Sequence, residues 1–125
     1  MSDPPEPEYT VEEANAQLGE LRPLIEEIRA ARQVVLKGSE RIRASATTNG
    51  GADVSREYWE ALAALRRGVE EVNRRGIVLR DPESGLLDFP SRREGKPVYL
   101  CWRLEEDRVG FWHGPDSGFS GRRPI

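Results

Sequence analysis

The apolar residues of this chain repeat with one period before Gly76 and another after it, and that single change constrains the fold more than any other feature. Upstream, Leu21, Ile28, Val35 and Ile42 fall seven apart, with Leu24 and Ala31 between them, so they line one side of a long helix. Tyr58, Leu62, Leu65, Val69 and Val72 repeat at four and three, which marks a second helix. Downstream, residues 77–80, 86–89, 98–103 and 108–113 are short alternating runs of strand type, separated by turn formers. Helices followed by strands predict an α+β fold. The economical arrangement is an N-terminal antiparallel helical hairpin packed on a small antiparallel β-meander of three to four strands.

Local signals set the boundaries. Residues 1–9 carry Pro4, Pro5 and Pro7 and are expected to be a disordered tail, leaving 10–125 as a single domain: 10–75 the hairpin, 76–125 the sheet with an irregular C-terminal segment. Thr10 and Glu13 form a capping box, in which each side chain bonds the other's backbone amide. Pro23 has no amide to donate, so the first helix is expected to kink or restart near 19–22. Residues 44–52 read as a glycine-bearing tip, Asp53 or Ser55 as the next cap, and Gly76 as a helix terminator able to take positive φ. Pro90 should stop the second strand, with 91–97 a charged loop and 105–107 a tight acidic turn.

Composition excludes several classes. A third of the 125 residues are charged (33%), 37% are apolar, and mean hydropathy is -0.67. The apolar run from Val98 to Trp102 is five residues, against the roughly 20 a spanning helix needs. The acidic, proline-rich start lacks the pattern of a secretory signal, and one cysteine permits no internal disulfide, so a cytoplasmic protein is expected. Net charge is -3, and residues 74–125 hold 10 basic against 8 acidic groups, a footprint that argues against nucleic acid.

Several residues could carry chemistry. His113, the only histidine, precedes Asp116 by three residues across a turn, and the pair could share a divalent metal such as zinc. Cys101, Asp88 and Glu94 are the candidates for further ligands; otherwise Asp116 simply holds the imidazole or caps the turn. Alternation puts Tyr99, Cys101 and Arg103 on one face of their strand, where Cys101 is an inert buried thiol unless a cation lies close. Arg103, Arg122 and Arg123 interleave with Trp102 and Trp112, an inventory suited to anions or bases and equally to a small core with a solvated rim. Gly114, Gly118 and Gly121 lack the strand-turn-helix setting of a phosphate loop and read as turn formers, while Asp88 is expected to pair with Arg92 or Arg93. Leu21, Ile28, Val35, Ile42, Leu62, Leu65 and Val69 form stripes long enough to suggest self-association as a dimer. These features favour a non-enzymatic interaction module, with metal binding second and RNA or anion binding third.

The phrases Tyr-Thr-Val-Glu-Glu-Ala-Asn-Ala at 9–16, Gly-Leu-Leu-Asp-Phe-Pro-Ser-Arg-Arg-Glu-Gly at 85–95, Val-Tyr-Leu-Cys-Trp-Arg-Leu at 98–104 and Phe-Trp-His-Gly-Pro-Asp-Ser-Gly-Phe-Ser-Gly-Arg-Arg-Pro-Ile at 111–125 resemble the DUF2203 family. The resemblance runs from Tyr9 to the last residue and implies a small bacterial protein with a helical N-terminal part. It assigns no catalytic residue. Its phrases fall on Asp88, Phe89, Pro90, Arg92, Cys101, Trp102, His113, Asp116, Gly118 and Arg122, so the sheet half is where a site is expected.

Overall fold

The computed structural model describes residues 8–49 and 55–125. Helices α1 (Val11–Asn49) and α2 (Arg56–Arg74) precede five strands: β1 (Val78–Asp81), β2 (Leu86–Arg93), β3 (Lys96–Arg103), β4 (Phe111–His113) and β5 (Arg123–Pro124). The strands make one antiparallel sheet in the order β1-β2-β3-β4-β5. The α+β class follows the change of period, but the meander has five strands rather than three or four. The extra one is β5, within the segment expected to be irregular; its Arg123 pairs with Trp112 and its Pro124 with Phe111.

Both helices begin as their first residues dictate. The Thr10 amide donates to Glu13 Oε1 and the Glu13 amide to Thr10 Oγ1, both at 3.0 Å. Ser55 caps α2 by accepting from the Tyr58 amide at 3.1 Å. Of the kink or restart expected near Pro23, the restart does not occur: α1 runs unbroken from Val11 to Asn49, past the expected start of the tip at Ala44. One proline removes one donor, and the neighbouring Arg22 ties the helix down there. Its guanidinium donates to the carbonyls of Leu104, Glu106 and Asp107 and lies over the Trp102 ring. The rest of the expected tip, and residues 1–7 of the expected tail, fall outside the described residues. Tyr9 is not part of a free tail: its amide donates to Pro90 O, its hydroxyl to Arg75 O, and its ring meets Phe89 edge-on.

The helices run antiparallel, Gly38 backing onto the Tyr58 ring and Gly68 onto Ile28. At the end of α2, Gly76 takes φ 75° and the Ile77 amide reaches back to Val72 O, the six-residue closure that left-handed glycine permits. Val72 and Ile77 then enter the core together.

The sheet departs from expectation in two places. Strand β2 continues through Pro90 to Arg93, because Pro90 lies where β1 has already ended. Its carbonyl accepts from Tyr9 on the edge away from β3, so the missing N–H sits on that edge and costs the β2–β3 ladder nothing. Residues 91–97 are not a loop. Glu94 (φ 54°) and Gly95 (φ 77°) make a two-residue turn with Arg93 paired to Lys96.

Alternation along these strands gives the sheet two unlike faces. Leu87, Phe89, Leu100 and Trp102 pack with Ala14, Leu18, Leu21, Ile25 and Ile28 of α1 into one core. Asp88, Tyr99, Cys101, Phe111 and His113 lie on the other face, over which the C-terminal segment folds back through Phe119 and Arg122.

Candidate functional site

Strand register assembles the site on that second face. Asp88 of β2 is paired with Cys101 of β3, and His113 of β4 with Tyr99, two residues from Cys101 on the same face. One ligand atom from each of Asp88, Cys101 and His113 lies within 4.8 Å of the others, and all three residues are buried.

Each polar group has a defined partner. His113 Nδ1 is 2.7 Å from Gly114 O, and since a carbonyl only accepts, Nδ1 carries the hydrogen of that bond. His113 Nε2 stands 3.0 Å from Asp88 Oδ1. The other carboxylate oxygen, Oδ2, accepts from Arg80 Nε at 2.8 Å. Both imidazole nitrogens are therefore engaged, so proton transfer to a substrate would first have to break the Asp88 contact. The β1–β2 register shifts between Leu79 and Asp81, leaving Arg80 unpaired in the ladder. Such irregularities re-aim a side chain, and here the guanidinium crosses to Asp88 and lies over the Tyr99 ring. The Asp88 hydrogen bond raises the Arg80 pKa, fixing it as a cation.

Cys101, the third member of the cluster, is fully buried. Burial, reinforced by the Asp88 charge, pushes its thiol up to about 11, although Arg122 approaches the sulfur at 3.9 Å. Unaided, it is neutral and a poor nucleophile at neutral pH. Arg122 is held in place by a bidentate pair with Glu106, at 3.1 and 2.9 Å, between the rings of Phe111 and Phe119.

Above Asp88 and His113 opens a cleft of about 300 Å³, lined also by Arg80, Leu86, Pro115, Asp116, Gly118 and Phe119. Asp116 lines this cleft at its exposed rim, outside the three-residue cluster. It does not hold the imidazole; Asp88 does. Glu94 sits in the exposed β2–β3 turn. Asp88 pairs with Arg80 rather than Arg92 or Arg93, for Arg92 bonds Glu8 and Arg93 lies over Trp112.

The residues considered for anions divide. Trp102 is fully buried on the helix side, its indole N–H donating to Glu106 O. Arg122 is committed to Glu106, and Arg103 pairs with Glu105 and lies over Phe119. Arg123 is exposed beside half-buried Trp112. Of the apolar stripe, Leu21 and Ile28 are wholly buried within the chain, while Val35, Ile42, Leu62, Leu65 and Val69 are half-buried. Sequence reasoning missed Arg80 and Glu106. The only signal for Arg80 was its place two residues beyond Val78 on the face that carries Asp88.

No helix among the described residues is long and apolar enough to cross a membrane. A family model described as an uncharacterized conserved protein, DUF2203, matches residues 8–125. No curated protein and no solved structure matches the chain.

Proposed function

The chain belongs to the DUF2203 family, and on the geometry of its buried cluster we propose that it binds a divalent transition metal, zinc fitting best, through Asp88, Cys101 and His113. The observation that carries this reading is the convergence of a carboxylate, a thiol and an imidazole within 4.8 Å on three neighbouring strands. Zinc bonds of about 2.0–2.2 Å to nitrogen and oxygen need those atoms roughly 3.0–3.5 Å apart. Nε2 and Oδ1 already stand 3.0 Å apart, at the spacing two ligands of one ion would require. The Nδ1 bond to Gly114 O is the support that a ligating imidazole ordinarily receives, since it fixes ring orientation and leaves Nε2 for the ion. Binding ionises the Cys101 thiol and releases its proton, which offsets the burial that otherwise keeps it neutral.

The test is titration of metal-free, untagged protein with cobalt(II). One ion per chain, with a thiolate-to-metal band in the near ultraviolet, is expected; Cys101→Ser should remove the band and weaken binding at least about a hundredfold. Absence of stoichiometric metal after purification, together with stability unchanged by chelator and no cobalt band, overturns the proposal.

Self-association through the hairpin is a second reading, supported by Trp59 and Leu36, which are 56% and 45% exposed. The packing of Gly38 on Tyr58 puts them at about the same level of the two helices. Leu21 and Ile28 are spent inside the chain, so the half-buried Val35, Ile42, Leu62, Leu65 and Val69 are the part of the stripe left to border such a contact. Light scattering should give twice the chain mass, reverting to one in Trp59→Glu; a single-chain mass at high micromolar concentration excludes it.

A further inference from the structure

Three protein ligands leave a zinc ion one open position, and the surroundings say what enters it. Asp88 and His113 form part of the cleft lining while Cys101 does not, so the thiolate would hold the ion from behind and the cleft would face the open position. At the rim stands Arg80, the one arginine or lysine among the described residues that line the cleft. Its Nε is bound to Asp88 and its tip lies beside Tyr99, yet the side chain remains 43% exposed. Leu86, Pro115 and Phe119 supply apolar walls. The volume of about 300 Å³ is at the small end of ligand clefts.

Resting on the metal reading above, we propose that the cleft takes a small oxyanionic ligand, a carboxylate or a phosphate, with one oxygen on the metal and the anionic group against the Arg80 guanidinium. A guanidinium's planar fork of N–H donors matches both oxyanions, and its delocalised charge survives beside another cation better than an ammonium would. Asp116, also on the rim, disfavours a second negative group at that end, so a compact anion is preferred over an extended polyanion.

Cobalt-loaded protein separates the two proposals, because its visible bands report coordination before any anion is added. Inorganic phosphate and malonate are titrated separately. A saturable shift of the visible bands with at least one of them is expected. Because Arg80 also supports Asp88, the comparison is made at saturating cobalt: Arg80→Met should weaken that anion roughly 10–100-fold while the thiolate-to-cobalt band persists, and Arg80→Lys should fall between. The preferred probe then identifies the class of anion. No cobalt spectrum at all overturns both proposals. A normal cobalt spectrum that answers to neither anion, or answers equally in Arg80→Met, overturns this one and leaves the metal site standing.

Discussion

Glu94 stands at φ 54°, the one described non-glycine residue with positive φ, in a turn whose second residue, Gly95, is at φ 77°. A side chain in that region costs about 1–2 kcal/mol unless it is short and polar enough to bond locally. Asparagine and aspartate are the usual first residues of such a turn; glutamate is not. Glu94 is exposed and no hydrogen bond or ion pair engages it among the described residues, so Glu94→Asn should stabilise the protein by about 0.5–1 kcal/mol, read as a higher urea midpoint with unchanged slope. A lower midpoint would mean that Glu94 has a role the turn geometry does not contain. The same residue explains why the site was only half legible. Counting outward from a Glu94-Gly95 turn puts Arg93 opposite Lys96 and Asp88 opposite Cys101, so this turn alone fixes the register of two of the three cluster residues. Because glutamate is a rare choice there, the turn read as a loop and the pairing was lost with it. Arg80 was harder still, since a register shift in β1 leaves no trace in the pattern of apolar residues.

Among the elements, the helices were readable because their signals are local. A capping box, four-and-three spacing and a terminal glycine act within a few residues of one another, and the structure answers each. The helix restart expected at Pro23 and the strand end expected at Pro90 are both absent, and each turns on where the missing donor points. Pro23 lies inside a long helix, with Arg22 anchoring the same turn to three carbonyls of the β3–β4 connection. Pro90 lies inside β2 on an edge already served by Tyr9. Both compensations come from residues far away in the chain, which is why local reasoning could not find them. Strand β5 is the same case: two residues, Arg123 and Pro124, count as a strand only because β4 accepts them.

At the scale of the molecule, the sheet is covered by α1 on one face and by the C-terminal segment on the other, and the two covers differ in strength. The helix side is a continuous apolar core. The other is held by Arg122, clamped by Glu106 and stacked between Phe111 and Phe119, with Phe119 itself 38% exposed. A cover that buries little apolar surface opens locally at less cost than the whole fold does. Cys101 therefore should become reactive by release of the C-terminal segment rather than by unfolding. In metal-free protein the thiol lies at about 11 against an ordinary 9.0, so alkylation should be slow at pH 8 and rise about tenfold per pH unit toward pH 10. The same raised value means that the unfolded thiol ionises first, so its contribution to stability is intact below pH 9.0 and declines as pH rises toward about 11. Glu106→Gln removes one charge of the clamp and should speed alkylation about tenfold or more with a small change in urea midpoint. Gly68→Ala, whose new Cβ would stand 2.5 Å from Ile28 Cγ1, weakens the opposite side. It should cost the larger stability, about 1–2 kcal/mol read as a lower midpoint, and barely speed alkylation. If Gly68→Ala accelerates labelling as much as Glu106→Gln does, the thiol is reached only through global unfolding and the C-terminal segment is no separate cover.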